Sequence, residues 1–133
     1  MDDRNITGGE EALSVERVKA LTDAFNEHDV DAIMAFFDDD CEWIMARGPE
    51  APHGRRCQGK EEIRKVLSSR FRVIPDMRWI DTRHWVVGNK GFSEWTVQGT
   101  PRTGERLDFQ GCDLWEFRNG KLVKKDTYWK LVE

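Results

Sequence analysis

Near Pro75 the spacing of apolar residues in this chain changes from helical to alternating, and few architectures accommodate both halves. Before that point, Ser14 is a good N-cap, and Val15, Val18, Leu21 and Phe25 follow it at helical spacing until "NEHD" interrupts them. Asp29 then caps "VDAIMAFF", where Val30, Ile33, Met34 and Phe37 share a stripe, and the run Asp38, Asp39, Asp40 reads as the solvated loop that ends it. A short strand, "CEWIM", leads into the loop "ARGPEAPHGRR". After it, "GKEEIRKVLSSRF" resumes helical spacing at Ile63, Val66, Leu67 and Phe71 and stops at Pro75.

Beyond Pro75 the segments "MRWIDTRHWVV", "KGFSEWTVQG", "ERLDFQGCDLWEF" and "KLVKKDTYW" are rich in β-branched and aromatic residues. The turn signals Gly88-Asn89, "TPRTG" and Asn119-Gly120 separate them, as in an antiparallel meander. Helices grouped first and long strands afterwards predict an α+β fold, three N-terminal helices on a strongly curved, mainly antiparallel sheet that encloses a pocket. At 133 residues the chain suits one domain, over 14–133, preceded by a 1–13 segment without apolar period that is expected to be a mobile tail.

Composition removes several function classes. A formal charge of −4 with both signs well represented argues against a nucleic-acid partner. No apolar run approaches the roughly 20 residues of a membrane span, and the acidic, glycine-containing start lacks the order of a signal peptide, so no membrane partner and a cytoplasmic location are expected. Cys41, Cys57 and Cys112 have no CxxC spacing and are read as reduced packing residues. No metal is expected, since His28 and His84 have no Cys or carboxylate at ligand spacing, and "GKEEIRKVL" lacks the further glycines of a phosphate loop.

The order of two helices, "AFFDDDCEW", a Gly/Pro loop, "GKEEIRKVL", long strands and "GCDLWEFRNGKLV" resembles the nuclear transport factor 2-like superfamily, in its SnoaL-like and ketosteroid isomerase-like branches. The resemblance covers nearly everything from Ser14 onward. It implies a cone-shaped, cystatin-like roll with a deep pocket, a homodimer through the outer sheet face, and cofactor-independent chemistry of the isomerase, cyclase or hydrolase kind, or none. Carried over by position, the isomerase's general base falls on Met45, and its oxyanion-binding tyrosine falls near Leu21; neither can serve. Its second oxyanion group falls on Asp113. The acid/base region of the polyketide cyclases falls near Lys125 and Asp126.

Asp113 is the main candidate on its own merits. Alternation puts Phe109, Gly111, Asp113, Trp115 and Phe117 on one, more apolar face, which should point inward. Its neighbour depends on the turn. A two-residue Asn119-Gly120 turn sets Asp113 opposite Asp126, whereas a three-residue turn sets it opposite Lys125 and aligns Val123 with Trp115 and Trp129 with Phe109. The second register keeps the inner face apolar and is preferred, giving an inward Asp113–Lys125 pair. Such a pair is either an acid/base device or a compensated structural pair.

On the preceding strand, apolar counting turns Ser93, Trp95 and Val97 inward, while the family alignment turns Phe92, Glu94 and Thr96 inward and would add Glu94 as a second acid. Trp43 and Met45 should line the pocket with Trp115, Thr127 and Trp129, and the loop should place Arg47 and His53 at its mouth, where His53 is a candidate acid/base group. The expected occupant is a small apolar or aromatic organic molecule, with no cofactor. Two functions are compatible with these residues. One is an enzyme in which Asp113, tuned by Lys125, exchanges a proton while His53, Arg47 or Glu94 polarises the substrate; the other is a binding or dimerisation domain without catalysis.

Overall fold

The computed structural model describes residues 12–133, so most of the segment read as a tail lies outside the described residues. Within it, Leu13 is buried and donates its backbone N–H to the Gly88 carbonyl at 3.3 Å. Helix α1 (Val15–Asn26) begins at Ser14, whose side chain accepts the Arg17 N–H, and α2 (Val30–Met34) begins at Asp29, which accepts the Ala32 N–H. These are the two predicted caps. A third helix, α3 (Lys60–Val73), starts at Gly59, whose φ of 87° suits glycine.

The strands are β1 (Phe37–Glu50), β2 (Gly54–Gln58), β3 (Arg78–Val87), β4 (Lys90–Gly99), β5 (Leu107–Arg118) and β6 (Lys121–Trp129). They form one six-stranded, unclosed sheet in the order β2-β1-β6-β5-β4-β3, antiparallel except where β1 runs parallel to β6. The architecture is the predicted α+β one. Val18, Leu21 and Phe25 of α1 and Ile63, Leu67 and Phe71 of α3 are buried in one core with Trp43, Trp115 and Phe117 of the sheet. Phe25 meets Trp79 edge-on with ring centroids 5.6 Å apart.

Two local expectations are corrected. The acidic run Asp38–Asp40 is not a loop but the start of β1, where Asp38 and Asp40 both receive Arg118 from across the sheet. The stretch read as a loop from Ala46 to Arg56 is a hairpin, with Trp43 opposite Cys57 and Met45 opposite Arg55. Its prolines and glycines sit at the hairpin end, where a register shift between Met45 and Glu50 absorbs them.

The β5–β6 register is also corrected. The turn is the two-residue one, with Arg118 opposite Lys121 and positive φ at both Asn119 (51°) and Gly120 (78°). A bulge then adds one residue to β6, so that Phe117 faces Leu122 but Glu116 faces Lys124. From there Trp115 lies opposite Lys125 and Asp113 opposite Thr127. Neither register considered from the sequence holds beyond the bulge. The extra residue reverses the alternation of β6 and turns Lys125 and Thr127 inward with Leu122, the outcome that burial of the apolar face demands.

Candidate functional site

Asp113 and Lys125 are each 3% exposed and meet at 2.6 Å, so the sequence identified the pair correctly although its register argument did not. Lys125 reaches Asp113 diagonally across the strands. Its Nζ donates to Asp113 Oδ1 and, at 3.0 Å, to Thr127 Oγ1. Thr127 in turn donates to Asp113 Oδ1 and accepts the indole N–H of Trp43 at 3.1 Å. The Thr127 hydroxyl therefore uses its one proton and both lone pairs. Asp113 Oδ2 accepts the indole N–H of Trp95 at 3.0 Å.

The ammonium of Lys125 is also enclosed by the rings of Trp115, Phe25 and Trp43, at 4.9, 5.1 and 5.1 Å from their centroids. Burial pulls its pKa below the ordinary lysine value, and the Asp113 charge opposes that shift. Gly111 makes the arrangement possible. A Cβ there would stand 2.4 Å from the Tyr128 carbonyl oxygen and 2.8 Å from the Trp95 ring, so only glycine lets Trp95 lie flat enough to reach Asp113.

Above this polar cluster lies a cavity of about 610 Å³ between α3, β1 and the ends of β5 and β6. Trp43, Met45, Arg47, Thr127 and Trp129, five of the expected ligand contacts, line it. Asp113 and Lys125 are not among its walls; Thr127 and Trp43 separate them from it. Trp129, on the cavity wall, stacks on Phe109 behind it with ring centroids 5.3 Å apart, and the Arg47 guanidinium lies within 5.6 Å of both, so this wall is aromatic with a cation beside it.

The other sequence candidates fall elsewhere. Glu94 and Thr96 lie on the outer face, where Glu94 pairs with Arg83 at 3.7 Å, because Ser93, Trp95 and Val97 take the buried positions. Apolar counting was the better guide than family alignment. His53 is exposed at the tip of the β1–β2 hairpin and lines an adjoining groove that shares Ala46, Arg47, Thr127 and Trp129 with the cavity, while His53 itself does not line the cavity. Trp115 is buried below the cavity and donates its indole N–H to Ser93 Oγ at 2.8 Å.

Sequence reasoning missed Ser93, His84 and Arg70. Ser93 is fully buried and also meets His84 Nδ1 at 2.8 Å, while His84 Nε2 is buried without a hydrogen-bond partner. Burial lowers the His84 pKa, aided by Lys19, so the ring favours its neutral form. Arg70 stands on the cavity wall with its guanidinium 5.4 Å from the Trp43 ring centroid. A signal for it existed: Arg70 follows Ile63, Val66 and Leu67 at helical spacing and so interrupts the apolar stripe of α3 with a charge. Among the described residues no group of His, Cys, Asp and Glu could hold a metal ion, and no helix is long and apolar enough to cross a membrane.

Comparison with known proteins agrees with this geometry. A structure of a provisionally assigned polyketide cyclase from Pseudomonas putida KT2440 superposes with a TM-score of 0.77 at 21% identity, covering 88% of this chain and 91% of that one. A provisionally assigned isomerase from Bacillus subtilis gives 0.71 at 18% identity, covering 86% and 84%. A ketosteroid isomerase-like protein from Catenulispora acidiphila, solved with trimethylamine, gives 0.74 at 17% identity, covering 90% and 88%. At these identities the likeness shows the fold. No functionally curated protein matches the sequence. The model of the SnoaL-like domain matches residues 18–125, most of the described chain, and the protein therefore belongs to the SnoaL-like domain family.

Proposed function

We propose that this SnoaL-like protein holds a small, flat, largely apolar organic molecule in the cavity between α3 and the sheet, against Trp43, Met45 and Trp129. The observation that supports this reading is the separation of roles. A space of about 610 Å³, within the usual range for ligand sites, has an aromatic wall. The charged pair beneath it has its hydrogen bonds satisfied by protein and gives the floor its shape. Titration calorimetry with a bicyclic aromatic probe such as 2-naphthamide tests it. Saturable binding is expected to weaken about tenfold or more in Trp129→Ala, in line with loss of an aromatic contact and its buried area. Binding indifferent to Trp129→Ala would remove the cavity from consideration.

One observation supports a second reading, cofactor-independent proton transfer of the isomerase, cyclase or hydrolase kind. Thr127 lines the cavity and bonds Asp113 and Lys125, so a bound molecule that displaced the Trp43 indole N–H from its hydroxyl would be joined to the pair. Turnover by the wild type that disappears in Thr127→Val while probe binding persists would establish it. The proposal also includes a homodimer through the outer face. Trp85, Val87, Leu114 and Tyr128 are 47%, 80%, 40% and 54% exposed there, large apolar side chains of the kind that mark an interaction surface when they lie together. Sedimentation equilibrium of Trp85→Lys is expected to give a monomer where the wild type gives a dimer.

A further inference from the structure

Several surface arginines are held by carboxylates, whereas, among the described residues, the cations gathered around the cavity are not. Arg56, Arg64, Arg83 and Arg118 each pair with a carboxylate, on Glu42, Asp31, Glu94, and Asp38 with Asp40 respectively. The cavity is lined by Arg47, Arg55, Lys65 and Arg70 with Glu105 as the single acid, four cations against one anion in a chain whose formal charge is −4. Among the described residues none of these four cationic heads forms an ion pair. Arg70 is the most enclosed of them. Among the described residues its guanidinium forms no hydrogen bond or ion pair, and the Trp43 ring beside it satisfies none of its five N–H donors.

A half-buried guanidinium is partly dehydrated and gains from a hydrogen-bonding partner that replaces cavity water. Burial acts most strongly against the cation, and Arg47 adds to it against an opposing contribution from Cys57, so an anion beside Arg70 would be favoured. Its planar fork matches a carboxylate, which accepts two parallel N–H bonds. Trp43 lies beneath the same guanidinium and Trp129 lines the same cavity, so an acid group on Arg70 would carry an attached ring onto the aromatic surface.

We infer that the occupant of the cavity is an organic acid, an aromatic or otherwise flat apolar body bearing a carboxylate that Arg70 receives, with Arg47, Arg55 and Lys65 supplying the surrounding positive field. This rests on the cavity being the binding site, and it adds the ligand's charge and the residue that reads it. The field of unpaired cations would also draw an anion toward the mouth, so association should be strongly salt-dependent.

The test compares 2-naphthoate with 2-naphthamide, which share a ring system and differ in charge, by calorimetry on the full chain. The acid is expected to bind about tenfold or more tightly than the amide, the scale of a charge-assisted hydrogen-bonded pair. Arg70→Gln should abolish that preference by weakening the acid far more than the amide, and Arg70→Lys, which keeps the charge but not the fork, should restore part of it. Raising the salt should weaken the acid alone. Equal affinity for acid and amide, or a preference that survives Arg70→Gln, would overturn the inference while leaving the cavity as the site. Binding of neither probe would overturn both readings. A melting temperature for Arg70→Gln close to that of the wild type separates a lost contact from a disturbed Trp43 stack, and Arg47→Gln, remote from that stack, should lower acid affinity by a smaller factor.

Discussion

Replacing Lys125 by Met leaves the Asp113 carboxylate at the base of the cavity with Thr127 and Trp95 as its remaining donors and no counter-charge. Breaking one half of a buried pair costs about 3–5 kcal/mol, because the surviving charge stays desolvated. With Lys125 and Asp113 each 3% exposed, water cannot screen the loss without local unfolding. For a domain of this size the melting temperature should fall by roughly 10–15 °C. Asp113→Leu leaves the opposite charge, and its behaviour depends on pH. Lys125 already has a lowered pKa, and without Asp113 the two largest contributions that raise it disappear, leaving the smaller one from Asp126. The folded lysine then releases its proton well below the unfolded value of about 10.4. Between those two values the unfolded chain binds more protons, so stability rises with pH and falls as pH drops through the folded value. Asp113→Leu should therefore gain more than the wild type when moved from pH 6 to pH 9. The double variant Asp113→Leu, Lys125→Met carries no stranded charge. It leaves the Trp95 indole N–H and the Thr127 hydroxyl proton without their acceptor, at about 1 kcal/mol each, so its loss should be about 1–3 kcal/mol, well short of the sum of the singles. Chemical denaturation of the four proteins measures the cycle. Additive losses, or single variants within about 1 kcal/mol of the wild type, would refute the description of a sealed, mutually compensating pair. Calorimetry on the double variant adds the functional half: unchanged probe affinity is expected of a pair that only shapes the floor.

Gly111→Ala should cost roughly 1–3 kcal/mol in denaturant unfolding, since its methyl group would push Trp95 off Asp113. Glu94→Gln and His53→Asn should leave probe binding within about twofold of the wild type, because those side chains lie outside the cavity. Burial raises the thiols of Cys41, Cys57 and Cys112, so all three should react slowly with a disulfide reagent at pH 8 and rapidly once the chain is unfolded.

The period change at Pro75 made the three helices and the meander legible, because amphipathic spacing is a local property and both caps, Ser14 and Asp29, carry their own signal. Asp113 was legible for a similar reason: its strand alternates cleanly, and an inward carboxylate needs a cation within reach, which the lysines of the next strand offered, Lys125 among them. The path between them was not. A bulge between Leu122 and Lys124 has no residue signature, since Val123 would suit a regular strand equally well. The β1–β2 hairpin was hidden by its Pro, Gly and Arg content, which lowers β-propensity even where the main chain pairs. Arg70 was marked only by its place on the apolar stripe of α3, and what it does there depends on the sheet edge it faces, information that one helix does not contain.

The bulge has a consequence for comparing this chain with its relatives. Because β6 carries one residue more than its pairing with β5 requires, removal of Val123 would leave a regular strand with Lys125, Thr127 and Trp129 still directed inward. The distance from the Asn119-Gly120 turn to the site can thus differ by one residue between family members while the site is preserved. An alignment anchored on that conspicuous turn would then set Lys125 against the wrong neighbour in a relative lacking the extra residue. Counting back from the far end of the strand, from Trp129, keeps the equivalent positions together.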